Sequence, residues 1–186
     1  MLQLVPESAL AASCTGQGST WTIHGEAYEL TQFHFHMPSE HTIDGKHAAL
    51  EMHAVYRGMQ SMQHAVFGVV FPAPTSASVA GEEKQDHVEL SSLWSAVETG
   101  AQQVTLNVEP LMECVKRTAQ RPTFVSYTGS LTTPPCTEGV QWVVAQAQHH
   151  VSQRDLDRYA ALAGNATQTN RPVQTLAEHQ LRVNEL

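Results

Sequence analysis

A chain of 186 residues with 41% hydrophobic and 15% charged side chains has the length and composition of one globular domain with a substantial core, not of a disordered or fibrous segment. A formal net charge of -8 argues against nucleic acid or an anionic membrane surface as a partner, and no apolar run approaches the ~20 residues that a membrane span needs. Cys14, Cys114 and Cys136 form no C-x-x-C pair and no dense framework, so neither a cysteine zinc site nor a disulfide scaffold is expected and at least one thiol is left over.

The opening MLQLVPESALAAS lacks the basic start of a secretory signal, and Pro6 and Glu7 interrupt its apolar stretch. Residues 3–5 read as a short strand end and residues 13–20 as a Gly/Ser/Thr loop. Trp21, Thr22 and Ile23 alternate and meet a turn at residues 24–26. Residues 27–37 then read as a long strand, with Tyr28, Leu30, Gln32, His34 and His36 on one face and Glu29, Thr31, Phe33 and Phe35 on the other. Met37-Pro38 ends it, because proline lacks the donor that a ladder needs. Asp44-Gly45 is a hairpin turn, since both residues tolerate positive φ. Residues 47–57 form the return strand, with Glu51, His53 and Val55 on one face and Leu50, Met52 and Ala54 on the other.

Residues 64–72, HAVFGVVFP, read as a buried central strand. After a polar loop, Asp86-x-x-Glu89 starts a helix that runs to about Gly100. Residues 103–108 read as a strand, 110–115 as a helical turn and 123–127 as a strand. Residues 129–137 form an irregular loop, and 140–145 a strand holding Trp142. Ser152-x-x-Asp155 opens a second helix ending at Gly164. Residues 171–176 are extended and 182–184 form a last edge strand. With no repeat and no linker, the chain reads as mainly β (a β-rich α+β fold), a single domain over residues 1–186 with a few peripheral helices.

Eleven histidines are many, and only their spacing can single some out. On a strand, residues i and i+2 point to the same face about 7 Å apart, which suits His34 and His36 as two ligands of one metal. His53 on the return strand completes a facial set, and three neutral imidazoles leave a fourth tetrahedral position for water, as in a catalytic zinc site. An H-x-H pair alone is a weak signal, more often the mark of ordinary histidines than of a metal site, and it is the third histidine on the partner strand that brings the two readings level. Gln32 and Glu51 each lie two residues before a histidine on its face, where they could accept the other ring N–H.

Residues 127–142 read YTGSLTTPPCTEGVQW. Taken with QFHFH at 32–36, SEHT at 39–42 and EMH at 51–53, in that order, they resemble the α-class carbonic anhydrases. NRPVQ at 170–174 matches the same family's N-x-R-P-x-Q region without the extra residue, so the resemblance extends from about Leu2 to Val183. It implies a large twisted, mostly antiparallel central sheet. It also implies Zn2+ held by His34, His36 and His53, with Gln32, Glu51 and the Asn170 backbone carbonyl as the groups that support these ligands: Gln32 behind His34, Asn170 behind His36 and Glu51 behind His53. Thr132 matches the gatekeeper threonine and Glu40 its carboxylate partner. His41 and Tyr127 match hydrogen-bonding residues near Glu51. Val55, Val66, Leu131, Val140 and Trp142 match the apolar wall for carbon dioxide, and Thr133 a position beside bicarbonate. The implied activity is reversible hydration of carbon dioxide to bicarbonate and a proton by zinc-bound hydroxide, with sulfonamides and anions as inhibitors and ester hydrolysis as a side activity.

Members of that family carry a further segment ahead of the point matching Met1. The expectation is therefore the α-carbonic-anhydrase fold lacking its N-terminal segment. Cys136 is then without its usual cysteine partner, and the proton-shuttle histidine is missing, so turnover should depend on buffer. The alternative expectation is a truncated, weakly active or inactive carbonic-anhydrase-like zinc-binding domain. Localisation is not readable from this chain, although the family suggests a periplasmic or secreted protein.

Overall fold

The computed structural model describes residues 2–7, 9–14, 20–73, 90–98, 103–104, 123–145, 150–164, 168–175 and 182–185. The strands in chain order are β1 (Leu2–Glu7), β2 (Ala9–Cys14), β3 (Thr20–Ile23), β4 (Glu26–His36), β5 (Thr42–Ile43), β6 (Lys46–His47), β7 (Leu50–Gly58), β8 (His64–Phe71), β9 (Gln103–Val104), β10 (Thr123–Ser130), β11 (Glu138–Ala145) and β12 (Arg182–Glu185). Helices α1 (Ser91–Glu98) and α2 (Gln153–Leu162) follow β8 and β11. A 10-stranded sheet runs β12-β10-β11-β8-β7-β4-β2-β1-β9, with β3 paired to β4 off this path. Pairing is antiparallel except between β8 and β11, which run parallel. The mainly β, mostly antiparallel architecture is as expected. The expected helix start at Asp86, the helical turn at 110–115 and the outer part of the strand at 103–108 lie outside the described residues.

The centre of the sheet is buried on both faces. Leu50, Met52, Ala54 and Tyr56 of β7 join Ala65, Phe67, Val69 and Phe71 of β8 in one large cluster. Leu90, Leu93 and Trp94, together with Leu156 and Tyr159 of α2, cover that cluster. Helix α2 starts at the expected cap: Ser152 Oγ accepts the Asp155 N–H at 3.1 Å and donates to Asp155 Oδ2 at 2.6 Å. The opposite face carries a smaller cluster of Val55, Val66, Val140, Trp142 and Val144, and beside it the histidines. Among the described residues no helix is long and apolar enough to cross a membrane.

The Asp44-Gly45 turn forms with both residues at positive φ, 51° and 73°. It closes the short β5–β6 ladder rather than the main one. His47 therefore belongs to β6, and the main return strand begins only at Leu50.

The face assignment along β4 needs a correction. Phe33 and Phe35 lie opposite the histidines as expected, but Tyr28 and Leu30 join Phe33 and Phe35 in the large cluster instead of sharing the face of His34. The cause is a bulge. Leu30 faces Tyr56 and Gln32 faces Val55, so Thr31 is an extra residue without a partner in the β7 register. Its Oγ1 donates to Val55 O at 2.9 Å, which fixes the bulge across the strand pair. One inserted residue shifts the period-two pattern by one face, so both halves of β4 bury their apolar side chains on the same side.

Deleting Thr31 is therefore expected to force Tyr28 and Leu30 out of the core or to turn the histidines into it. Losing the burial of two such side chains costs roughly 3–6 kcal/mol. Thr31→Ala, which removes only the hydroxyl's bond, should cost about 1 kcal/mol. Urea unfolding of the two variants checks the difference, and equal midpoints would refute the role given to the bulge.

Candidate metal centre

The register of β4 against β7 builds the site. His34 stands directly opposite His53, and His36 opposite Glu51. The three imidazole centroids make a nearly equilateral triangle with sides of 4.9, 5.2 and 4.8 Å. His36 and His53 are buried and His34 is half-buried.

The groups behind the rings decide which nitrogens face inward. Glu51, fully buried, accepts from His53 Nε2 at 2.7 Å and from His41 Nδ1 at 2.6 Å on Oε1, and from the His41 backbone N–H at 2.8 Å on Oε2. An ionised carboxylate can only accept, so His53 carries its proton on Nε2 and presents the Nδ1 lone pair. His36 Nδ1 lies 3.0 Å from the Thr169 carbonyl, another pure acceptor, so its Nε2 lone pair is presented, and that atom is buried with no partner among the described residues. His34 Nε2 lies 3.3 Å from His53 Nδ1. Two ligands at about 2.0–2.1 Å from one tetrahedral centre stand roughly 3.3 Å apart. The ligand atoms of His34, His36 and His53 lie within 4.8 Å of one another, and the three residues fit a metal ion.

Charge in the site follows from burial and neighbours. Burial, then the other two rings, hold His34 well below the usual histidine range. Burial, then His53, lower His36 as well. Neutral imidazoles keep the lone pairs that a metal needs. Burial works against ionisation of Glu51, but His41 and His53 outweigh it and hold the carboxyl well below its usual range. Burial also opposes a charge on His41, and Glu51 overcomes it and raises that histidine. Burial, then Glu51 and Glu40, push Tyr127 upward. Its phenol stays protonated and lies 2.7 Å from His41 Nε2. Tyr127, His41, Glu51 and His53 thus form one hydrogen-bond chain ending at the histidine triangle. It explains the second grouping of possible ligand atoms, His41, Glu51 and His53: the Glu51 oxygens there are already engaged.

Two supporting contacts differ from expectation. The carbonyl behind His36 belongs to Thr169, not to Asn170, which instead sends Nδ2 to Ser39 O at 3.4 Å. Thr169 donates its own N–H to Met37 O at 2.8 Å, and that pairing points the Thr169 carbonyl at the ring. His34 Nδ1 is buried with no partner among the described residues, so the expected contact from Gln32 is not formed.

Glu40 and Thr132 line one cleft of about 550 Å³ with His41, Tyr127, Ser130 and Arg171. Their expected hydrogen bond is not formed: Glu40 Oε1 takes the Arg171 backbone N–H at 2.7 Å, and Oε2 is buried without a partner among the described residues. That oxygen lies 3.9 Å from His53 Nδ1, turned toward the histidines. Of the apolar residues, Val55, Val66, Val140 and Trp142 lie in one cluster with Leu131 packed against it. Trp142 sets its ring edge-on to His53 at 4.8 Å and donates Nε1–H to Ser130 O at 3.1 Å. Thr133 is exposed, and Cys136 is a free thiol.

Gly68 was not singled out in the sequence, although a glycine inside a buried strand is a signal for a close approach. It faces His53 across β7–β8. A Cβ there would stand 3.3 Å from Glu51 Oε1 and 3.8 Å from His53 Cδ2. Ser39 was missed too. It is fully buried and anchors the turn holding Glu40 by accepting the Ala48 N–H on Oγ and donating to His41 O.

A family model described as eukaryotic-type carbonic anhydrase matches residues 8–185. A carbonic anhydrase of Neisseria gonorrhoeae is 35% identical over 159 residues, which are 86% of this chain and 57% of the relative. One of Klebsiella pneumoniae is 36% identical over 166 residues, 89% of this chain and 62% of the relative. The chain thus spans about three fifths of the length of these curated relatives. Among solved structures, the α-carbonic anhydrase of Thermovibrio ammonificans in complex with the inhibitor sulfanilamide superposes with a TM-score of 0.75 at 30% identity, covering 98% of this chain and 74% of that one.

Glu51→Gln replaces a pure acceptor with a group that can also donate, so the tautomer of His53 is no longer enforced. Metal retention should fall roughly 10–100-fold. Competition dialysis against a chelator checks this, and unchanged retention would show that Glu51 does not orient His53.

Proposed function

The chain belongs to the eukaryotic-type carbonic anhydrase family, and from that premise we propose that it catalyses the reversible hydration of carbon dioxide to bicarbonate and a proton, using a zinc ion held by His34, His36 and His53. The observation that carries the reading is the pair of backing acceptors, Glu51 behind His53 and the Thr169 carbonyl behind His36, which turn two lone pairs into the triangle. When bound, zinc supplies the Lewis acidity that brings the pKa of a water down to roughly 7, a value known from carbonic anhydrase itself.

The remaining work falls to the chain's own residues. His34, His36 and His53 contribute three neutral donors and leave a fourth tetrahedral position open. Val55, Val66, Leu131, Val140 and Trp142 offer apolar surface beside the triangle, enough to receive a small uncharged substrate without competing polar contacts. Glu40 keeps Oε2 free among the described residues, and that is the acceptor a Thr132 hydroxyl needs. With its O–H donated in a hydrogen bond to Glu40, the Thr132 oxygen can accept a hydrogen bond from the attacking group and so orient a lone pair toward the carbon. Thr133, exposed beside it, is suited to the anionic product. Primary aromatic sulfonamides and small anions are the inhibitors this site should take, in line with the sulfanilamide complex of the Thermovibrio ammonificans enzyme.

Stopped-flow carbon dioxide hydration, read together with zinc content, tests the reading. The expected outcome is stoichiometric zinc and hydration that an aromatic sulfonamide abolishes, with His53→Ala losing both. Stoichiometric zinc without hydration would leave a carbonic-anhydrase-like binding domain, and absence of zinc would overturn the metal reading.

A further inference from the structure

Strand β2 pairs with β4 only as far as Ala11 opposite His34. Past that point, a helix and a loop meet the backbone of β4 instead. Tyr159 of α2 is fully buried and donates its hydroxyl to Phe35 O at 2.8 Å. Its oxygen also lies 3.2 Å from Thr169 Oγ1. Since the phenol proton goes to a carbonyl, which only accepts, the proton between the two hydroxyls is that of Thr169, whose alternative acceptor, Met37 O, lies farther off at 3.5 Å. Thr169 Oγ1 accepts the Met37 N–H at 2.9 Å, and the Thr169 N–H returns to Met37 O at 2.8 Å. The Thr169 carbonyl, at the far end of the same residue, faces His36 Nδ1.

We infer that Tyr159 is a positioning residue for the metal centre: through Thr169 and Phe35 it clamps the two residues flanking His36 and holds the carbonyl that fixes the tautomer of that ring. The inference rests on the zinc reading of the histidine triangle and adds to it a residue on a distant helix that touches neither metal nor substrate. The ring of Tyr159 packs at 5.6 Å from Trp94 and 6.5 Å from Phe35, so Tyr159→Phe keeps the packing and removes one oxygen. The role predicts slower loss of zinc from the intact clamp, because a ligand whose second nitrogen is firmly held stays oriented toward the metal.

The measurement is the rate of zinc release from the loaded 186-residue chain to excess chelator. Tyr159→Phe should release zinc about 10–100-fold faster. Thr169→Val should match it, Thr169→Ser should restore the wild-type rate, and the double variant Tyr159→Phe/Thr169→Val should add little to either single change. Trp94→Phe, which disturbs the same packing without touching the hydroxyl link, is the control, and it should lower the melting temperature while leaving the release rate unchanged. A wild-type rate in Tyr159→Phe, or an equal acceleration in Trp94→Phe, overturns the inference while the zinc reading stands. A wild-type chain that retains no zinc defeats the zinc reading itself, and this inference with it.

Discussion

The pairing of β4 with β7 is the constraint on which the site depends. In that register His34 faces His53 and His36 faces Glu51, so two strands deliver three imidazoles and one carboxylate to a single patch. A slip of one residue would send every side chain of the slipped strand to the opposite face, the histidines among them into the large apolar cluster. What prevents the slip is apolar: Phe33, Phe35, Leu50, Met52 and Ala54 are buried together on the other face, and those of the strand that moves must leave that core. The bulge at Thr31 belongs to the same constraint, since it lets Tyr28 and Leu30 join that core without disturbing the histidines.

Burying a carboxylate and three histidines beside valine and tryptophan is costly unless each polar atom has a partner. Glu51 is satisfied by three donors, the His41 Nδ1–H, the His41 backbone N–H and the His53 Nε2–H, which converge on its charge. Among the described residues, two of the buried side-chain atoms without partners face the centre: His36 Nε2 and Glu40 Oε2. Polar atoms kept unpaired in an otherwise satisfied interior are a cost that function explains better than stability does.

Residues 168–171 connect the two halves of the site. Thr169 holds His36 through its carbonyl, and Arg171 holds Glu40 through its backbone N–H while its guanidinium reaches Ser130 Oγ at 3.3 Å. Ser130 lies just before the loop that carries Leu131 and Thr132, and its carbonyl receives the Trp142 indole N–H. One short extended segment therefore touches a candidate ligand, the candidate carboxylate and the strand end leading to the candidate threonine.

The sequence alone was sufficient for the strands whose alternation is unbroken, for the Ser152 cap, and for bringing His34, His36 and His53 to one face, because i and i+2 spacing and cross-strand pairing are local consequences of strand geometry. The motifs around SEHT and GSLTTPPC likewise pointed to the family. Alternation could not reveal the Thr31 bulge, since an extra residue leaves a pattern that still looks periodic on each side. Spacing could not decide between Thr169 and Asn170 behind His36, because neighbouring carbonyls of an extended segment point in different directions and only the pairing with Met37 selects one. Nor could it foresee that Glu40 binds the Arg171 backbone, or that Tyr159 on a helix reaches the strand end at Phe35. These are contacts between segments more than a hundred residues apart, and only the packing of α2 and the 168–175 segment against β4 determines them.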